Sequence, residues 1–194
     1  RADAKADDQE TKGAPRAEKA MSATPSIVRG ATKADEPQLW VLLRQMWDEN
    51  GLFPMSETKV QFYLDRVLRP ETVPPQDTGP RGVIGVIGPS SYIEGAIMLI
   101  LAPVWYSDSI SLQDCINYVR EDCRNSSHAK ALISYSMHMT DEIRKAHHDF
   151  QMMVGVVSTK RTAAKVRLYR RQLAEIGSFF VYPTPPGYEP VEKR

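Results

Sequence analysis

Residues 118–132 read YVREDCRNSSHAKAL, from Tyr118 to Leu132, and the reading of this stretch decides the fold. A run with strand character, Ile110 to Val119, leads into it. A short polar loop follows, and a helix is predicted to start near His128. A strand, a phosphate-sized loop and a helix N-terminus together form a ready anion site. The first N–H groups of the helix lack partners there, and the helix dipole favours negative charge. Arg124 offers a guanidinium fork for a phosphate, and Lys130 adds a point charge. The plainer alternative is an ordinary strand-to-helix turn with Ser126 or Ser127 as N-cap.

Composition bounds the class around that stretch. The chain has 194 residues, of which 42% are hydrophobic and 25% charged, with a net charge of +1. This fits one ordinary soluble domain with a real core. So small a net charge argues against nucleic acid as the main partner. The two cysteines, Cys115 and Cys123, imply no disulfide framework and suit a reducing compartment. No His or Cys cluster has ligand spacing, so no metal site is expected. Residues 1–20 carry five basic and five acidic residues and no Val, Ile, Leu, Met or aromatic. Such a segment buries too little apolar surface to order itself, and it lacks the apolar region of a secretory signal. Residues 1–25 are therefore expected to be a flexible charged arm, 26–182 the folded domain, and 183–194 an irregular tail.

Upstream of the central stretch, SIVRGAT from Ser26 is a strand candidate. Lys33 to Asn50 places Leu39, Trp40, Leu43, Met46 and Trp47 at helical spacing, and Gly51 ends that helix. Ser56 opens a second helix, with Val60, Tyr63, Leu64, Val67 and Leu68 inward, that stops at Pro70. A loop rich in Pro and Gly follows. Gly82 to Gly88 and Tyr92 to Tyr106 read as two hairpin strands. Downstream, Ser127 to His147 reads as a helix, Phe150 to Ser158 as a strand, Lys160 to Leu173 as the last helix and Glu175 to Tyr182 as the last strand. The order is β-α-α-β-β-β-α-β-α-β, a mixed α/β sheet flanked by helices. The apolar run Ala96 to Ala102 is far too short to span a bilayer. The basic residues of the last helix, among them Lys165, Arg167 and Arg170, read as a solvated face or as an attraction for phosphates.

The central stretch resembles the acyl-CoA-binding motif of the GNAT superfamily of N-acyltransferases, V-x-P-x-x-R-x-x-G-x-G/A-x-x-L. Val119, Arg124, Ala129 and Leu132 stand at motif positions. Glu121 replaces the usual proline and Ser127 the first glycine, where glycine permits close approach to a pyrophosphate. AAKVRLYRRQLAEIGSFFVY resembles the family's C-terminal part, with Leu168 and Tyr169 at its Leu-Tyr pair. Its Gly-Phe and an upstream asparagine are missing. The resemblance spans residues 26–182 and is nearest in texture to divergent GNAT-like proteins of tailed phages.

The resemblance implies an acyl-CoA-dependent N-acyltransferase, most simply an N-acetyltransferase, moving acetyl from acetyl-CoA to an unidentified amine on a small molecule or protein. By it, Asn117, Tyr118 and Val119 flank the acyl carbonyl. Arg124, Asn125, Ser126, Ser127, His128, Ala129 and Lys130 hold the cofactor phosphates. Tyr169 protonates the departing thiolate, a transfer suited to a phenol of pKa near 10. Trp47 to Met55 would face the acceptor. The general base is not readable; Glu94 and Asp114 are the acidic residues inside strand candidates. The departures at Glu121 and Ser127 equally suit a GNAT-fold protein that has lost catalysis and serves as an interaction or structural component. A cytoplasmic setting is expected, or a host cytoplasm or virion for a phage product. Oligomer formation is left open.

Overall fold

The computed structural model describes residues 27–74, 76–77, 79–103, 108–156, 158 and 160–177. The charged arm, the C-terminal tail, Val104 to Ser107 and residues 178–182 of the expected last strand lie outside the described residues. Short strand β1 (Arg29–Gly30) is followed by helices α1 (Glu36–Asn50) and α2 (Glu57–Leu68). Strands β2 (Arg81–Ile87), β3 (Gly95–Pro103) and β4 (Ile110–Val119) come next. Helix α3 (His128–Arg144), strand β5 (Gln151–Met153) and helix α4 (Thr162–Arg170) complete the order. The sheet runs β1-β2-β3-β4-β5, antiparallel except for the parallel pair β4–β5.

Two apolar layers hold the sheet between helices. Leu39, Leu42 and Leu43 of α1 and Leu64 and Leu68 of α2 pack on Ile84, Val86, Ala96, Met98 and Ile116. Leu132 of α3 packs with Ile87, Ile97, Leu99, Leu112 and Val119 on the opposite face. Alternation along β3 thus sends Ala96 and Met98 one way and Ile97 and Leu99 the other. Each fully buried Leu or Ile contributes about 1.5–3 kcal/mol of transfer free energy, so these layers dominate stability.

Local chemistry explains the element ends. The Ser56 side chain accepts from the Lys59 N–H, so α2 starts where an N-cap serine was expected. β1 is shorter than SIVRGAT suggested, because the Thr32 N–H turns to the Asp35 carboxylate at 2.7 Å and closes a capping turn. β3 begins only at Gly95. Tyr92 belongs to a turn, its N–H bonded to the Pro89 carbonyl, and Gly88 takes the positive φ of 96° that this turn needs. Glu94 therefore lies outside the strand in which it was expected.

β4 matches its expected bounds but contains a bulge. Met98 pairs with Ile116 while Leu99 pairs with Asp114, leaving Cys115 as the extra residue. The bulge reverses the alternation. Leu112 faces α3, whereas Ile116 and Tyr118 face α1. β5 is also shorter than expected, for it pairs with β4 only over Ser111–Gln113 and Gln151–Met153. Beyond that the Gly155 N–H turns to the Asp114 carboxylate at 2.9 Å. The two parallel strands cease to pair there, and the wedge between them is the candidate cleft.

Candidate functional site

The cleft opens where β4 leaves β5. Its floor is the second half of β4. The Arg120 N–H donates to the Glu94 carbonyl at 2.8 Å, so Arg120 and Tyr118 turn their backbone groups toward β3. Asn117 and Val119, at the alternate positions, turn theirs to the open side. The Val119 carbonyl accordingly accepts from Arg124 Nε at 3.1 Å, across the opening.

Three side chains expected at the site meet here. The Asn117 amide donates to the Tyr169 hydroxyl oxygen at 2.8 Å, which anchors α4 on the α3 side of the sheet. Burial, and then the Asp114 charge, hold the Tyr169 phenol well above its ordinary pKa. Burial likewise pushes the Asp114 carboxyl up to about 6, against the opposing pull of its Gly155 and Tyr169 hydrogen bonds. A protonated phenol and a half-buried carboxyl without a cationic partner thus lie side by side.

Glu94 is placed elsewhere. Its carboxylate meets His128 Nε2 at 2.5 Å, beside the start of α3. Both residues belong to the loop end of the cleft rather than to its floor. Ser127 is the N-cap of α3, but it is the Ser126 hydroxyl oxygen that accepts from the His128 N–H, at 3.2 Å. Among the described residues no acceptor meets the N–H groups of Asn125, Ser127, Ala129 or Lys130, so the helix start keeps its donors free.

Arg124 is engaged inside the protein. Its guanidinium pairs with Glu49 at the end of α1, and the Tyr118 hydroxyl donates to the same carboxylate at 3.1 Å. Burial works against the Glu49 charge, but Arg124 outweighs it and holds the carboxyl below its ordinary range. Sequence reasoning missed Glu49, which stands 75 residues from its partner. Lys165 was read only as part of a solvated or phosphate-attracting basic face; its amine instead points inward and donates to Asn50 Oδ1 and to Ser158 Oγ, both at 2.7 Å. Burial brings that amine down to about 8. The only local signal for Lys165 is its place one helical turn before Tyr169. In the stretch expected to face the acceptor, Trp47 to Met55, the Trp47 indole N–H bonds the Phe53 carbonyl at 2.7 Å, and Phe53 is 71% exposed.

The site holds the kind of groups acetyl-CoA needs: free backbone donors for phosphate and an open strand edge for the amides of its arm. Among the described residues no three His, Cys, Asp or Glu side chains gather to hold a metal ion. No described helix is long and apolar enough to cross a membrane.

Neither family models nor curated proteins match the sequence. Solved structures do. The chain is similar to a probable acetyltransferase at 20% identity and a TM-score of 0.55, over 84% of this chain and 99% of that one. It is similar to the ribosomal-protein-alanine N-acetyltransferase of Brucella melitensis biovar Abortus 2308 at 15% identity and a TM-score of 0.52, over 79% and 96%. It is also similar to AAC(6')-Iy, solved in complex with the bisubstrate analog CoA-S-monomethyl-acetylneamine, at 14% identity and a TM-score of 0.56, over 81% and 96%. Identity this low carries backbone path rather than chemistry. The likeness is one of fold: this chain has the mixed α/β GNAT fold of these acetyltransferases.

Proposed function

We propose that this protein is an acyl-CoA-dependent N-acyltransferase, most simply one that moves acetyl from acetyl-CoA to a primary amine. The observation that carries the reading is the convergence of Tyr169, Asn117 and Asp114 in the cleft, within one strand's length of the free donors at the start of α3. Bound acetyl-CoA supplies a thioester carbonyl open to attack by a neutral amine.

The residues divide the work. The donors of Asn125, Ser127, Ala129 and Lys130 hold phosphate. The Asn117 N–H, turned to the open side of β4, polarises the carbonyl as negative charge develops on it. The Tyr169 phenol keeps its proton at every physiological pH, and so has one to give to the departing thiolate. The Asn117 amide fixes the hydroxyl in place. Asp114, ionised at pH 7 with its carboxyl near 6, takes the proton the attacking amine loses. Glu94, paired with His128, supports the loop. The amine is the substrate class; its carrier, small molecule or protein, is open.

The second reading, a GNAT-fold interaction protein without catalysis, is favoured by one observation. Arg124 is already paired with Glu49 and with the Val119 carbonyl. Calorimetric titration with acetyl-CoA separates the two. Saturable binding, with release of free CoA thiol in the presence of a panel of primary amines, supports the enzyme. No heat at millimolar acetyl-CoA supports the second reading.

A further inference from the structure

Lys165 occupies a position that the proposed reaction does not use. α4 lies on the α3 side of the sheet, since Tyr169 bonds Asn117, which shares its face of β4 with Val119. Asn50 ends α1, on the other side. The Lys165–Asn50 bond therefore links elements of the two faces of the sheet, beyond the short ladder of β4 and β5. Ser158, which follows β5 in the chain, takes the second bond. Lys165 also feels the charges of Glu49 and Arg124 at the cleft mouth. Lys165 and Tyr169 are one turn apart on α4 and share its inner face.

Burial brings the amine closer to its neutral, attacking form, although at about 8 most of it is still ammonium at pH 7. An ammonium carries three N–H donors, and a neutral amine two donors and a lone pair. The protein supplies two acceptors, Asn50 Oδ1 and Ser158 Oγ. Among the described residues no carboxylate lies within ion-pair distance of the Lys165 amine. Two bonds use two N–H groups and leave the lone pair uncommitted.

We propose that Lys165 is itself an acyl acceptor, acetylated at Nζ by a thioester held in the cleft. This rests on the acyl-CoA reading above. The Lys165 nitrogen forms the new bond to the acyl carbon, the carbon–sulfur bond breaks, and the thiolate leaves with the Tyr169 proton. The proton lost by the nitrogen returns, by way of solvent, to the Tyr169 phenolate. Acetyl-CoA is consumed, and one free thiol appears per acetylated chain. The product amide is uncharged and bulkier than the amine. It severs the link from α4 to Asn50, so the modification alters the acceptor side of the cleft.

The test is peptide mass spectrometry of the full chain incubated with acetyl-CoA, alongside calorimetric binding of the same ligand. Lys165 should be labelled at least ~10-fold faster than the exposed Lys145, because a bound thioester is held beside Lys165 and not beside Lys145. Tyr169→Phe should slow labelling about 10-fold, as expected for losing a general acid. Acetyl phosphate at equal concentration, which lacks the CoA portion, should show no preference for Lys165. Binding of acetyl-CoA with Lys165 labelled no faster than Lys145 overturns the proposal and leaves the acyltransferase reading standing. Equal preference with acetyl phosphate overturns delivery from the cleft. Absence of acetyl-CoA binding removes both.

Discussion

Asp35, at the edge of the sheet, and Asp114, at the parting of β4 and β5, are both withdrawn from water, and the protein treats them in opposite ways. Asp35 is fully buried and saturated. Arg29 grips it with two bonds, of 2.8 and 2.7 Å, and the Thr32 N–H and hydroxyl add two more. The Arg29 bonds, outweighing burial, hold its carboxyl far below the usual range. Asp114 receives one backbone N–H at 2.9 Å, the Tyr169 hydroxyl and no cation, and burial pushes it up. A carboxylate with every lone pair answered closes a turn. One left short of partners is free to exchange a proton.

The largest expected effect breaks the saturated side. Asp35→Ala strips Arg29 and the Thr32 turn of their acceptor and should cost about 3 kcal/mol, measured by urea unfolding. A cost at this low end fits a pair whose arginine is partly exposed. Asp114→Asn keeps an acceptor for Gly155 and should cost less than ~1 kcal/mol at pH ~4, where the native carboxyl is still protonated. A large loss there would mean that Asp114 is structural like Asp35.

Tyr169→Phe comes next. It should lower turnover about 10- to 100-fold, read as CoA thiol release, while acetyl-CoA affinity stays within about 3-fold. Equal losses in both would assign Tyr169 to packing.

Titration sharpens the contrast further. A raised carboxyl binds its proton more tightly folded than unfolded. Asp114 should therefore withdraw on the order of 1–2 kcal/mol of stability as pH rises from about 4 to 6, and Asp114→Asn should flatten that slope. The depressed Asp35 acts the other way and lower down. Its contribution is complete above pH ~4, its unfolded pKa, and is lost as pH falls below that. Unfolding at matched denaturant from pH 3 to 7 reads both slopes. The smallest effect is expected for Glu94→Gln. Its pair with His128 is partly exposed, so the change should stay under about 1 kcal/mol in the same assay.

Much of this architecture was legible in the residues. The strand character of Ile110 to Val119 located β4, and Ser56 and Pro70 bounded α2. Tyr169 was singled out from its Leu-Tyr pair, and Asp114 from its place in a strand. Glu94 was read as a strand residue because the apolar run after it extends a strand pattern in both directions. The turn at Gly88 and Tyr92 ended that pattern early. Arg124 was read as a free phosphate fork. A partner at Glu49 leaves no trace in the sequence around either residue.

What the sequence determined by itself was local: periodicity, caps, breakers and the polar loop that opens α3. These depend on neighbours a few residues apart, so the chain carries them wherever it goes. What only the tertiary structure decided was which polar groups face one another. The single extra residue at Cys115 shifts the register of β4, turns Ile116 and Tyr118 to α1, and sends Asn117 to Tyr169. A strand's side-chain period is two, so one inserted residue reverses every face beyond it. The bonds of Asn117 to Tyr169, Arg124 to Glu49 and Lys165 to Asn50 join residues 52, 75 and 115 apart. They follow from sheet order and from the parting of β4 and β5, which pairs distant segments by packing rather than by sequence.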